Sequence, residues 1–272
     1  MRKRYSTAGN QQSSTLFLLL SSLIGQQYIK IGSYPFIVED FHADYTGKLS
    51  FSVLGNHLLN CSNLHARQFG FGMGHYNQEA YTWVISRLVI QLEEPLYKNE
   101  PFTLHTWVSK VYHYFINREY TLINSDNRLV GKAHAVWALI HEADRTPVNL
   151  NRFFDRIITD SVCDEIHALS TSKERFKLKE TIPCFEHKVT YGDLDINGHV
   201  NSIKYIECIL NSFSLDVYNH GGLYKLEIAY VEETSYGDRL LLYKEDMGCN
   251  SFYVEIRKDT DEIVCRCKLF FK

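Results

Sequence analysis

The chain repeats itself, and this narrows the folds open to it more than any other feature. Shifted by 151 residues, "DYTGKLS" (Asp44–Ser50) lies on "DINGHVN" (Asp195–Asn201), matching Asp44 with Asp195, Gly47 with Gly198 and Leu49 with Val200. Shifted by 138, "RLVIQLEEPLYKNEPFTL" (Arg87–Leu104) lies on "KLEIAYVEETSYGDRLLL" (Lys225–Leu242), matching Leu88 with Leu226 and Glu94 with Glu232. The shifts differ by 13 residues, which a glycine-rich loop after Gly70 absorbs.

Each copy carries the same order of patterns. In the first, "SYPFIVEDF" alternates as a strand does. Leu49, Val53, Leu54, Leu58, Cys61, Leu64 and Phe69 then recur at helical spacing up to a natural stop at Gly70. The segments "TWVISRLVIQL", "PFTLHTWVSKVYHYF", "NREYTLINS" and "RLVGKAHAVWALIHE" follow as strands, with "SDNR" as a turn. In the second copy, "TIPCFEHKV" is the strand. Val200, Ile203, Ile206, Leu210, Phe213 and Val217 mark one helix ending at Gly221–Gly222, and four more strands run to the C-terminus. A strand, a long helix and a meander fold naturally as an antiparallel sheet burying the helix on one face, an α+β arrangement occurring twice.

Composition excludes several classes. The 272 residues are 45% hydrophobic and 14% aromatic, enough for a sizeable core. A net charge of −3 gives no general affinity for nucleic acid or anionic membrane. The seven cysteines are odd in number, irregular in spacing and without a CxxC pair, so reduced thiols in a cytoplasmic setting are the expectation. No histidine has metal-ligand spacing, and neither a metal nor a cofactor is expected. "GFGMG" follows a helix and lacks G-K-[ST], so it reads as a plain loop, and the basic run Lys173, Arg175, Lys177 and Lys179 reads as a solvated linker. Residues 1–30 are basic, Ser/Thr-rich and free of acid, with an apolar run from Leu16 to Ile24 too short to span a bilayer. A secretory signal, an organellar transit segment and a non-native extension all fit them. The last is preferred, and they are set aside from the fold.

Chemistry concentrates in "GDLDINGHVN", where Asp195, Asn197 and His199 stand at i, i+2, i+4 just before the second helix. If Asp195 to Asn197 are extended, their side chains share one side and Gly198 lets the chain turn into the helix, so carboxylate, amide and imidazole converge at a helix N-terminus that favours developing negative charge. The bland reading is an N-cap beside a solvated histidine. The repeat weighs against it, because the first copy has Asp44, Thr46 and Lys48 there and keeps its turn without Asn or His. In "AYVEETSYGD", Glu232 and Glu233 are consecutive, so one faces inward if the strand continues. The first copy has Glu94 and Pro95 at those positions.

"YGDLDINGHVNSIKYIE" resembles the D-L-D-x-N-x-H-V-N-N-x-x-Y stretch of acyl-ACP (acyl carrier protein) thioesterases. "FINREYTLINSDNRLVGKAHAVWALIHEADRTP" is similar to the family's F-x-R-x-x-x-V…G-x-x-x-A-x-S-x-W-V-x-M run, and the likeness covers about residues 34–245. It implies two tandem hotdog domains, each a long helix wrapped by an antiparallel sheet. The expected parts are an extension at 1–30, an acyl-binding domain at 31–155, a linker at 156–181 and a catalytic domain at 182–272. It implies hydrolysis of fatty acyl-ACP to free fatty acid and holo-ACP, with Asp195, Asn197, His199 and Glu233 as catalytic residues. The chain is expected to act in the cytoplasm as a monomer or homodimer, without a membrane span. Many plastid members carry Cys after the catalytic Glu; here it is Thr234, so a cysteine nucleophile is not expected. An acyl-CoA thioesterase and a non-catalytic acyl-binding protein of the same fold stay open.

Overall fold

Strand β1 (Gly32–Ile37) leads through a single 3-10 turn (Asp40–His42) into helix α1 (Phe51–Gln68). The computed structural model describes residues 30–72, 81–154, 156–164, 169, 178–219 and 221–272. The N-terminal extension, most of the glycine-rich loop and Lys173, Arg175 and Lys177 of the basic run lie outside these.

Ser50 caps α1 by accepting the Val53 N–H, and Gly70 ends it with a left-handed φ of +81° that glycine adopts at low cost. Leu54, Leu58, Cys61 and His65, spaced at i, i+4, i+7 and i+11, are completely buried. Each leucine removed from water in this way contributes about 1.5–3 kcal/mol.

Four strands follow: β2 (Tyr81–Leu92), β3 (Pro101–Val111), β4 (Phe115–Asn124) and β5 (Leu129–His141). The run read as one strand to Phe115 turns at Tyr112, whose N–H bonds the Phe115 carbonyl. Short helices α2 (Leu150–Phe153) and α3 (Arg156–Asp160) precede the second copy. That copy holds β6 (Phe185–Lys188), a 3-10 turn (Tyr191–Asp193), α4 (Ser202–Asn211) and α5 (Leu215–Asn219). It ends in β7 (Leu223–Tyr230), β8 (Arg239–Gly248), β9 (Ser251–Lys258) and β10 (Ile263–Phe271).

The order β1-β3-β4-β5-β2-β7-β10-β9-β8-β6 makes one ten-stranded antiparallel sheet. Each copy contributes five strands in the same internal order, and β2 pairs with β7 from Arg87↔Ala229 to Gln91↔Lys225. The helices of the two copies meet where Gly55 of α1 faces Ile203 of α4. A Cβ at Gly55 would stand 2.7 Å from Ile203 Cδ1, so the missing side chain sets how closely they pack.

The second helix departs from expectation: it breaks after Asn211 instead of running to Gly221. Ser212 turns its hydroxyl onto the Ile209 carbonyl, and Lys244 Nζ of β8 takes the Ser212 carbonyl at 2.8 Å. With those groups satisfied outside the helix, Phe213 swings into a cluster with Phe252 and Phe271. Helix α1 has no such break.

Candidate active site

The Asp195–His199 segment is a tight turn three residues ahead of α4, so the condition of an extended Asp195–Asn197 is not met. Leu194 pairs with Val200 around it, and Gly198 reverses the chain at φ +80° with open space on all sides, so its need for glycine is conformational. Asp195 Oδ1 accepts the N–H groups of Asn197 (2.8 Å) and His199 (3.2 Å), the Asx turn that aspartate builds readily. Its Oδ2 lies 3.5 Å from Asn197 Nδ2. Beneath the turn, Asp193 accepts from His187, the Thr190 N–H and the Thr190 hydroxyl. Burial would raise the Asp193 pKa, but these donors outweigh it and hold it below the ordinary carboxylate value.

The first copy builds the same turn. Asp44 Oδ1 accepts from Thr46 N (2.8 Å) and Lys48 N (3.3 Å), and Gly47 has φ +77°. Leu49 N bonds the Leu96 carbonyl as Val200 N bonds that of Thr234. The aspartate and glycine thus belong to the repeat's architecture, whereas Asn197 and His199 occur only in the second copy.

Pairing of His199 with Ser235 and of Val200 with Thr234 lays the turn along residues 231–235. Strand β7 has ended at Tyr230, so Glu232 and Glu233 do not alternate across a strand; both line the same cavity as the turn. His199 Nε2 stands 4.0 Å from Glu233 Oε2, a separation that one water can bridge. Thr234 is 1% exposed, and its hydroxyl lies 2.7 Å from that of the buried Tyr205.

Sequence reasoning missed Arg145. It lies in the loop after β5 with a left-handed φ of +57°, and its Nη2 donates to Glu233 Oε1. Glu233 is therefore divided, one oxygen held by Arg145 and the other turned toward His199. No periodicity marks such a residue, because the partners are 88 positions apart.

All four expected residues, Asp195, Asn197, His199 and Glu233, come together on one cavity of about 610 Å³. His199 and Glu233 are 32% and 40% exposed, so this end reaches solvent. The rest is walled largely by apolar groups of the first copy, among them Leu59, Ala66, Trp83, Ile85, Ile116 and Trp137. Beside the first copy's turn is a smaller cavity of about 380 Å³, where Thr46, Lys48 and Pro95 stand in place of Asn197, His199 and Glu233. No cysteine lines the larger cavity. The thiols of Cys61 and Cys208 are pushed up to about 12 by burial, far from a nucleophilic thiolate. Among the described residues, no three His, Cys, Asp or Glu side chains are grouped to hold a metal, and no helix is long and apolar enough to cross a membrane.

In an antiparallel α+β fold, an apolar cavity that opens beside an amide, an imidazole and a carboxylate is the kind of site that takes an apolar ligand by its hydrocarbon part and leaves its polar end at those groups. Residues 33–157 match the acyl-ACP thioesterase N-terminal domain, and residues 177–272 match the acyl-ACP thioesterase C-terminal domain. The chain belongs to the acyl-ACP thioesterase family.

A solved acyl-ACP thioesterase from Bacteroides thetaiotaomicron is 41% identical and superposes with a TM-score of 0.82, over 89% of this chain and 98% of that one. The 12:0-ACP thioesterase from Umbellularia californica shares the fold at a TM-score of 0.81 and 15% identity, over 89% of this chain and 97% of its own. A palmitoyl-acyl carrier protein thioesterase, chloroplastic, from Gossypium hirsutum is 25% identical over 230 residues, 79% of this chain. The chain spans only about half (53%) of that relative's length.

Proposed function

We propose that the protein hydrolyses the thioester of fatty acyl-ACP, releasing a free fatty acid and holo-ACP. The observation that carries this reading is the convergence of Asn197, His199 and Glu233 at the solvent-reachable end of an apolar cavity. In this reading each copy is a hotdog domain, residues 31–155 binding the acyl chain and 182–272 supplying the chemistry, with 156–181 between them. Because β2 and β7 join the copies, one chain holds a whole site, which supports a functional monomer. The reaction is assigned to the cytoplasm, with a transit role for residues 1–30 as the alternative.

A water between His199 and Glu233 attacks the thioester carbon, held by the Glu233 carboxylate while His199 takes its proton as the C–O bond forms. Asn197 Nδ2 takes the charge developing on the carbonyl oxygen. The expected help from the start of α4 is reduced, because Asn201 caps the helix and already accepts the Ile203 and Lys204 N–H groups. The C–S bond then breaks, and the carrier thiolate leaves with the proton from His199. Asp195 orients Asn197 and His199. Its Oδ1 already accepts two backbone N–H groups, which weighs against direct attack by this carboxylate. A general base contributes about 10²–10⁴-fold and one oxyanion donor about 10²–10³-fold. Free-thiol release from a panel of acyl-ACPs, with matched acyl-CoAs alongside, is the test. Asn197→Ala, His199→Ala and Glu233→Ala should each lose at least about a hundredfold in turnover. Wild-type turnover in all three folded variants would reject the site, and equal rates on the CoA series would reject the carrier.

A further inference from the structure

The smaller cavity, beside the first copy's turn, is the counterpart of the larger one wall by wall. The turn at Asp44–Ser50 lines it as the turn at Asp195–Asn201 lines the other. Shifted by 138 residues, Gly221–Tyr224 take the place that Trp83–Ser86 hold in the larger cavity. Shifted by 151, Leu210 and Phe213 stand for Leu59 and Ser62. A phenyl ring where the larger cavity has a hydroxymethyl fills space, in keeping with about 380 Å³ against about 610 Å³. The interior stays apolar, with Leu49, Leu92, Leu210 and Phe213 on the wall.

The polar end has the opposite chemistry. Pro95 stands where Glu233 would hold a water, and the ammonium of Lys48 where His199 would take a proton, so the groups that activate water are missing. Lys48 is half-buried, and a Cβ on Gly222 would stand 3.3 Å from its Nζ, which sets the ammonium against the second copy's part of the wall. Among the described residues no carboxylate pairs with that ammonium and no acceptor takes a hydrogen bond from it. Asp44, on the same turn, is engaged through Oδ1 with the Thr46 N–H, the Thr46 hydroxyl and the Lys48 N–H. Lys272, the second cation on this wall, is committed to the Glu93 carbonyl at 2.8 Å. A half-buried ammonium at the edge of an apolar cavity is best satisfied by an anion whose remainder is hydrocarbon.

Resting on the thioesterase reading for the origin of the ligand, we propose that the smaller cavity binds a free fatty acid, the product of the reaction, with its carboxylate on Lys48 and its hydrocarbon between Leu92 and Phe213. The second copy's cavity hydrolyses, and the first copy's cavity holds what is released. Because Phe213 shortens it, the smaller cavity takes shorter chains than the larger one.

The test is equilibrium dialysis of radiolabelled fatty acids, from octanoate to palmitate, against the full chain. Wild type should bind one more equivalent per chain than Lys48→Met, and the difference should be largest for the shorter acids. Loss of the ammonium should weaken that equivalent about tenfold or more, as expected of a hydrogen bond to a charged group. Lys48→Arg should keep it, and the matching fatty alcohols, which lack the anion, should show no such difference. Equal binding by wild type and folded Lys48→Met overturns the proposal. So does an extra equivalent that takes the alcohol as readily as the acid. Dialysis involves no turnover, so the two failures are distinct: absence of acyl-ACP hydrolysis overturns the thioesterase reading and with it the ligand's origin as product.

Discussion

Replacing Arg145 by Met separates stability from catalysis more sharply than any other substitution at this site. The side chains of Arg145 and Glu233 are 33% and 40% exposed, so solvent screens their ion pair. Pairs of this kind contribute about 0.2–1 kcal/mol, which lowers Tm by roughly 2–4 °C at most in a chain of this size. The effect on turnover should be larger. With Oε1 released, nothing fixes Oε2 near His199, and misplacing a reacting group by about 1 Å costs on the order of 10²-fold. We expect kcat to fall about ten- to hundredfold with KM nearly unchanged, because Arg145 positions Glu233 and does not hold the chain. Arg145→Lys, which keeps charge but loses the planar fork, should recover only part. The assay is steady-state thiol release from acyl-ACP beside thermal melts of the same preparations. A folded Arg145→Met enzyme with kcat within about twofold of wild type would refute the positioning argument. So would a loss of activity that merely follows a large drop in Tm.

Three further outcomes follow from the packing. Burial, and then repulsion from His42, pull His57 down to about 4 while the unfolded chain protonates near 6.5. Unfolding therefore takes up a proton between those values, and stability should decline as pH falls from about 6.5 to 4. Melts of His57→Phe across that range should show a flatter slope, and an unchanged slope would exonerate His57. Ala66 lines the cavity while itself nearly buried, so Ala66→Phe should move the substrate preference to shorter acyl chains. Excluded methylenes should each cost about ten- to two-hundredfold in kcat/KM on the acyl-ACP panel. Gly55→Val forces atoms against Ile203 and should cost about 1–3 kcal/mol in denaturant unfolding. Adding Ile203→Ala should make the pair less damaging than the sum of the singles, and strict additivity would contradict the contact.

Much of this was legible in the residue order, for identifiable reasons. The long helix ending at Gly70 and the succession of strands along each copy are written in short-range periodicity and glycine placement, and the duplication in the residue order itself. The sheet order is not, since β2 pairs with β5 and β7 where a plain meander would pair it with β3. Comparing the copies also singled out Asn197, His199 and Glu233, because Thr46, Lys48 and Pro95 do without their chemistry in an equivalent frame. Other features depended on partners far away in sequence. The second helix ends at Asn211 because Lys244, from a different strand, takes a carbonyl that the helix would otherwise have to satisfy. The single sheet exists because β2 and β7 expose matching edges. Tertiary structure alone brought Arg145 to Glu233 across 88 residues and buried Arg118 against His65 and Thr106, with no carboxylate partner among the described residues. A charge in a sequence reads as solvated by default, and only its surroundings in space reveal whether water, a counter-ion or a substrate is left to satisfy it.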